Sequence, residues 1–323
     1  MSLARNQQDP ALLLEAHFAL GMVSTVRGEF ALAREHFKET AVLYNPQQHR
    51  SHVLLYGQDP QVGCLSYTAH VLWFLGYPDQ ALKKSQETLS LVQNLSHPNS
   101  YAWALSFGAA WFHYYLREGQ ATQEYAEAAI TLCHEQEFPI FLAQGTILRG
   151  WALAEQGHGK EGLAEIHQGL ATWRATGAAD VTFYFTVLAE AYEKVGQTHE
   201  GLSTLTEALT MACKTEERMY EAELYRLRGE LTLAQSSIQR LESSVQKEAE
   251  ECFLKAIDIA RQQQAKSWEL RASTSLSRFW QQQGKQKEAH ALLSAVYSWF
   301  TEGFDTKDLQ EAKALLDELA REQ

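Results

Sequence analysis

His49 and His52, three residues apart in the run QQHRSH, are close enough to suggest shared metal ligation. No HExxH accompanies them, and the surrounding residues read as a polar connector between helices. Cys133 beside His134 invites a nucleophile and base, but adjacent side chains diverge on a helix and no third group completes the set. The Gly-Lys pairs at 159–160 and 284–285 are followed by Glu161 and Gln286, and lack the upstream glycine that a phosphate cradle needs. Carboxylates recur at Glu29, Asp79, Glu118 and Glu200, where paired acids could hydrolyse a glycoside. Each sits beside a glycine that ends a helix, which fits favourable charge at a helix N-terminus better. The sequence therefore predicts no catalytic centre, no cofactor and no metal site.

The elements that carry these residues are helical. Of 323 residues 45% are hydrophobic and only six are proline, with Ala, Leu, Gln and Glu abundant, so local preference runs toward helix throughout. The net charge of −12 and the lack of any Lys/Arg block argue against nucleic acid and against an anionic membrane surface, and leave room for a basic partner. Four scattered cysteines without a CxxC pair point to a reducing, cytoplasmic setting. The longest apolar stretch, residues 101–116, is shorter than the ~20 residues of a membrane helix. Its aromatics, Tyr101, Trp103, Phe107, Trp111, Phe112, Tyr114 and Tyr115, read as core, with a small-molecule pocket as the alternative. The polar start MSLARNQQDP carries no secretion signal.

Glycines punctuate this helical chain at Gly28, Gly76, Gly119, Gly157, Gly196 and Gly284, at intervals of 48, 43, 38, 39 and 88 residues, the last being two periods. Five residues after each stand Ala33, Ala81, Glu124, Gly162, Gly201 and Ala289; seven before stand Gly21, Ala69, Phe112, Gly150, Ala189 and Ser277. Small residues at matched places on consecutive helices let two backbones approach, and the turn glycine supplies the left-handed conformation that closes a helix. The third unit, with Phe112 and Glu124, breaks the rule. A further unit has Gly229 and Ala249, with an extended turn in QSSIQRLESS. These spacings predict one all-α solenoid over 1–323, with helix pairs at about 10–44, 60–95, 99–135, 139–175, 180–214, 218–264 and 266–300 and a capping helix at 306–321. The first helix, ALLLEAHFALGMVSTV, is apolar nearly all round, so we expect either preceding chain or self-association into a homodimer through it.

The segments LGYPDQAL, GTILRGWALAEQG, EAELYRLRGELTL, AKSWELRASTSLSRFW and WFTEGFDTKDLQEAKALL resemble tetratricopeptide repeats, in particular the tetratricopeptide-like C-terminal region of bacterial signalling ATPases often joined to class III adenylate or guanylate cyclase domains. The resemblance covers about residues 11–320. It implies a right-handed superhelix of helical hairpins and a non-enzymatic regulatory or sensing arm of such a protein. That arm binds a protein or peptide and controls ATPase or cyclase domains upstream in the same polypeptide. On a superhelix, the first helix of each pair lines an inner groove. One stripe of that groove reads His70, Trp73, His113, Trp151, Phe183, Glu190, Glu193, Arg226, Glu230 and Arg278, aromatic in its first half and charged in its second. The expected ligand is a protein or peptide segment with an apolar part near Trp73, His113 and Trp151 and a basic part near Glu190 and Glu193.

Overall fold

A computed structural model describes residues 9–49, 52–179, 181–237 and 243–321. Among them every regular element is a helix, and the helices run as antiparallel pairs of the tetratricopeptide kind. They fall into two compact units. The first holds α1 (Pro10–Val26), α2 (Phe30–Leu43), α3 (Pro46–His49), α4 (His52–Tyr56), α5 (Pro60–Phe74), α6 (Pro78–Gln93), α7, α8 (Gly119–Gln136), α9 (Pro139–Glu155) and α10 (Gly159–Ala175), without residues 74–78. Helix α7 is continuous from Pro98–Trp103 through a π-helical stretch, Ala104–Ala110, to Trp111–Tyr115. The second unit holds residues 74–78, α11 (Thr182–Lys194), α12 (Thr198–Thr215), α13 (Glu221–Ser237), α14 (Ser243–Gln262), α15 (Lys266–Gln282), α16 (Gln286–Tyr297) and α17 (Lys307–Arg321).

The repeated small residues lie where two helices of a pair cross. A Cβ built on Gly150 of α9 would stand 2.6 Å from the carbonyl oxygen of Gly162 on α10, and one on Gly162 would stand 2.2 Å from that of Gly150. Neither backbone could keep its place beside an alanine. In the α15/α16 pair the same two positions meet through a bond, Ser277 Oγ donating to the Ala289 carbonyl at 3.1 Å. Gly28, Gly76, Gly157, Gly196 and Gly284 all have positive φ, as a helix-closing turn requires.

Gly119 does not. It opens α8 with ordinary helical geometry, and the left-handed residue of that turn is Arg117, φ +59°. Counting from Arg117 puts Ala110 seven residues before and Thr122 five after, both fully buried and small, so the third pair obeys the rule that Phe112 and Glu124 had broken. Arg117 also lies 41 residues after Gly76 and 40 before Gly157, which evens the period. The π stretch upstream of this turn is buried throughout. Its wider ring rotates the side chains before it relative to those after it. Two side chains serve its carbonyls: His70 Nε2 donates to Phe107 at 2.9 Å and Ser85 Oγ to Gly108 at 2.7 Å.

In the second unit the last helix closes the hydrophobic core. Leu309, Ala312, Leu315, Leu316 and Leu319 of α17 pack on Leu270, Ala289, Leu293, Val296 and Phe300, while its other faces are charged. The expected turn insertion is shorter than predicted, because α13 continues through Ser237 and α14 resumes at Ser243; residues 238–242 lie outside the described residues. No described helix is long and apolar enough to cross a membrane.

Candidate binding surface

The expected groove stripe divides by burial. His70, Trp73, Trp151 and Phe183 are 1%, 2%, 2% and 0% exposed, so they are core rather than ligand-facing, a correction to the aromatic half of the stripe. Trp73 stacks on Tyr115 with centroids 4.6 Å apart, and Trp151 meets the edge of Tyr114 at 4.7 Å. Phe183 lies 5.4 Å from both Tyr184 and Tyr220. The physical reason is area: large rings gain most by losing water between neighbouring helices. Burial pushes the His70 imidazole down to about 3 against the opposing effect of its bond to the Phe107 carbonyl, so it works as a neutral donor. His113 is half-buried, its Nδ1 2.5 Å from Glu118 Oε2 and its ring stacked on Tyr125. The corrected turn at Arg117 puts Trp111 and Tyr114, not His113, on the repeat stripe, and both are buried.

The charged half of the stripe is drawn together in the second unit, on α11, α13, α15 and α17. Glu190 is half-buried and Glu193 exposed on α11. On α13, Arg226 donates from Nε and Nη2 to the two oxygens of Glu223, both at 2.8 Å, in a bidentate pair. Its Nη1 lies 3.5 Å from Glu230 and 3.4 Å from Ser275 Oγ of α15. Ser275 in turn donates to Glu230 at 2.6 Å. Arg271 bridges further: its Nη1 is 3.7 Å from Glu223 and its Nε donates to Asp308 of α17 at 2.8 Å. Arg278 donates to Glu311 at 3.1 Å.

Four carboxylates, those of Glu223, Glu230, Asp308 and Glu311, thus pair with three guanidiniums, those of Arg226, Arg271 and Arg278, and Glu193 adds its charge near Arg226. Burial opposes the Arg226 charge, but Glu223, Glu230 and Glu193 outweigh it and hold its pKa well above the usual arginine value. With Glu193 the cluster holds more carboxylates than guanidiniums. Glu223, 1% exposed, anchors it from within, while Glu230 and Arg278, with side chains 30% and 47% exposed, meet solvent.

Sequence reasoning missed Glu223, Arg271, Ser275, Asp308 and Glu311. A signal existed for the first: Glu223, Arg226 and Glu230 stand three and four apart, the spacing at which helical side chains pair. The cross-helix partners had none. His49 and His52 do come together, with ring centroids 4.9 Å apart. Among the described residues no three His, Cys, Asp or Glu side chains converge as metal ligands. Cys133 is buried, and burial raises its thiol to about 11.

No protein-family model matches the chain, and no curated protein matches it either. Solved structures do. The apo form of RapI is similar at 11% identity and a TM-score of 0.53 over 94% of this chain and 99% of that one. Aspartyl phosphate phosphatase F from Bacillus subtilis is similar at 10% identity and 0.55, over 92% of this chain and 73% of that one. A Rap protein complexed with competence and sporulation factor is similar at 13% identity and 0.54, over 88% of this chain and 78% of that one. At these identities the likeness is one of fold.

Proposed function

We propose that the chain is a non-enzymatic protein- or peptide-binding module whose docking surface is the acidic row on α11, α13, α15 and α17, and whose ligand is a segment bearing Lys or Arg. The observation that carries this is the cluster of Glu223, Glu230, Asp308 and Glu311 held by Arg226, Arg271 and Arg278 on α13, α15 and α17, with Glu193 adding its charge near Arg226 and open to solvent. Such a field attracts cations before any contact forms, and Glu223, Glu230, Asp308 and Glu311 lose little on binding because their pairs already order them. Support of a second kind comes from the fold: one structure of this architecture was solved with competence and sporulation factor bound. The test is fluorescence anisotropy with labelled Lys/Arg-rich peptides. Glu190→Lys together with Glu193→Lys should weaken binding at least tenfold and flatten its salt dependence; unchanged affinity removes the proposal.

The resemblance of the repeats to signalling ATPases supports the wider context, a C-terminal regulatory arm of an ATPase or cyclase protein in the cytoplasm. Reading the residues encoded ahead of Met1 tests the ATPase form of that context, which requires a GxxxxGK[ST] motif there. A second reading is assembly into a homodimer. It is motivated by α1, apolar nearly all round in sequence, on which Leu12 and Val23 are 37% and 52% exposed. Light scattering over a dilution series separates the two readings, a monomer at every concentration excluding the dimer.

A further inference from the structure

A backbone amide can only donate, and two amides of the first unit donate to histidine rings. Asn45 N–H donates to Nδ1 of His49 at 2.9 Å, and Ser100 N–H donates to Nδ1 of His97 at 3.2 Å. Each Nδ1 must therefore keep its lone pair, so both imidazoles are neutral and carry their proton on Nε2. The His97 bond is the N-cap of α7, a position that Ser, Thr, Asp or Asn usually fill with a group that does not titrate near neutrality. His49 is 1% exposed, so a proton there would be both unpaired and cut off from water.

A chain of hydrogen bonds joins the His97 cap to the connector that holds His49. Tyr44 OH donates to Asp59 Oδ2 at 3.1 Å, while Asp59 Oδ1 accepts from the amides of Gln61 and Val62 at the start of α5. Asp59 N–H donates to Ser100 Oγ at 3.0 Å, and that hydroxyl lies 2.9 Å from His97 Nδ1. The Tyr44 ring lies 5.8 Å from that of His49. Other charged groups face the pair as well. His52 of α4 lies beside His49 and 2.6 Å from Glu15 of α1, and Asp9 stands at the head of α1. Burial is the main influence lowering His49, with His52 acting the same way and Glu15, Asp59 and Asp9 against it; for His97 burial lowers and Asp59 opposes.

We propose that this network is an acid-sensitive joint: protonation of His49 and His97 breaks both amide bonds and releases residues 44–49 and 52–59 together with the start of α7. The direction follows from linkage. The closed form holds both rings neutral and the open form lets them titrate normally, so the open form binds more protons and acid favours it. Closure is at full strength above about pH 6.5, the ordinary histidine value, and weakens as pH falls below it. At pH 5.0 a free histidine is protonated over neutral by about 30 to 1, so each ring raises the opening constant by up to roughly 30-fold and the two together by up to about 1000-fold.

Amide hydrogen exchange on the full chain, corrected for the intrinsic rate, reads this between pH 7.5 and 5.0. Peptides covering 44–49, 52–60 and 98–102 should lose protection by at least 30-fold, while those from α9 and α10 change less than threefold. In a His49→Asn, His97→Asn variant the amide oxygen still accepts the bond but does not titrate, so protection should persist to pH 5.0. His52→Gln should leave the response in place. Wild-type protection that is constant with pH overturns the proposal without any variant, as does a double variant that tracks wild type or a response abolished by His52→Gln alone.

Discussion

Gly119 and Gly157 both look like turn glycines in the sequence, yet only Gly157 has the left-handed backbone, φ +93°, and the two respond oppositely to alanine. Nothing lies within 4 Å of a Cβ on Gly157, so Gly157→Ala carries no clash, and its effect is that of the backbone alone. An L-residue in that region costs about 1–2 kcal/mol, of which reduced freedom of the unfolded chain returns about 0.4–1 kcal/mol. The expected net loss is about 1 kcal/mol. The amide bonds that close the turn, Gly157 to Ala154 at 3.2 Å and His158 to Leu153 at 2.9 Å, fray first. At Gly119 the backbone is helical, and the new methyl would meet Glu155 Cβ at 3.4 Å, an ordinary contact. Gly119→Ala should then be neutral or stabilising by up to about 1 kcal/mol. Both positions belong to the first unit, so they share one reference state. Urea denaturation followed by circular dichroism should place the midpoints on opposite sides of wild type, or Gly119→Ala level with it, with a gap worth about 1–2 kcal/mol. A Gly119→Ala variant as damaged as Gly157→Ala refutes the assignment of the turn to Arg117.

Other perturbations separate the forces that hold the fold. Gly162→Ala should destabilise by about 1–3 kcal/mol in thermal denaturation, because the 2.2 Å approach of its methyl to the Gly150 carbonyl forces α9 and α10 apart. Arg226→Ala should cost about 3 kcal/mol, near the low end for breaking a buried pair because Arg271 remains 3.7 Å from Glu223. Arg278→Ala, whose side chain is 47% exposed, should cost less than about 1 kcal/mol, and equal losses for the two arginines would show that burial does not set the strength of these pairs.

What could be read from the sequence, and what could not, divides along the range of the interactions involved. Ala33, Ala81, Gly162 and Gly201 follow their turns by five residues because each faces a partner helix at a crossing that the repeat renews, and a local pattern suffices to find them. Arg117 escaped because glycine is the usual residue in a left-handed turn, and a glycine two positions later drew the alignment. The burial of Ala110 and Thr122 corrects it, and that is a fact of packing with no mark in the chain.

The binding surface shows the same division more sharply. Trp73 and Glu193 occupy the same position of the repeat, three residues before their turn glycines, yet one is core and the other meets water. Period alone cannot distinguish them, because helix spacing gives direction but not what stands opposite. Chemistry supplies the difference: an aromatic ring placed in the seam is stabilised by closing it, whereas a carboxylate holds the seam open unless a guanidinium enters with it. Where Arg226 entered, Glu223 became buried; where Tyr115 met Trp73, the seam closed on the rings. Solvent therefore reaches the stripe where its residues are charged, and that part is the half on which the proposed function rests.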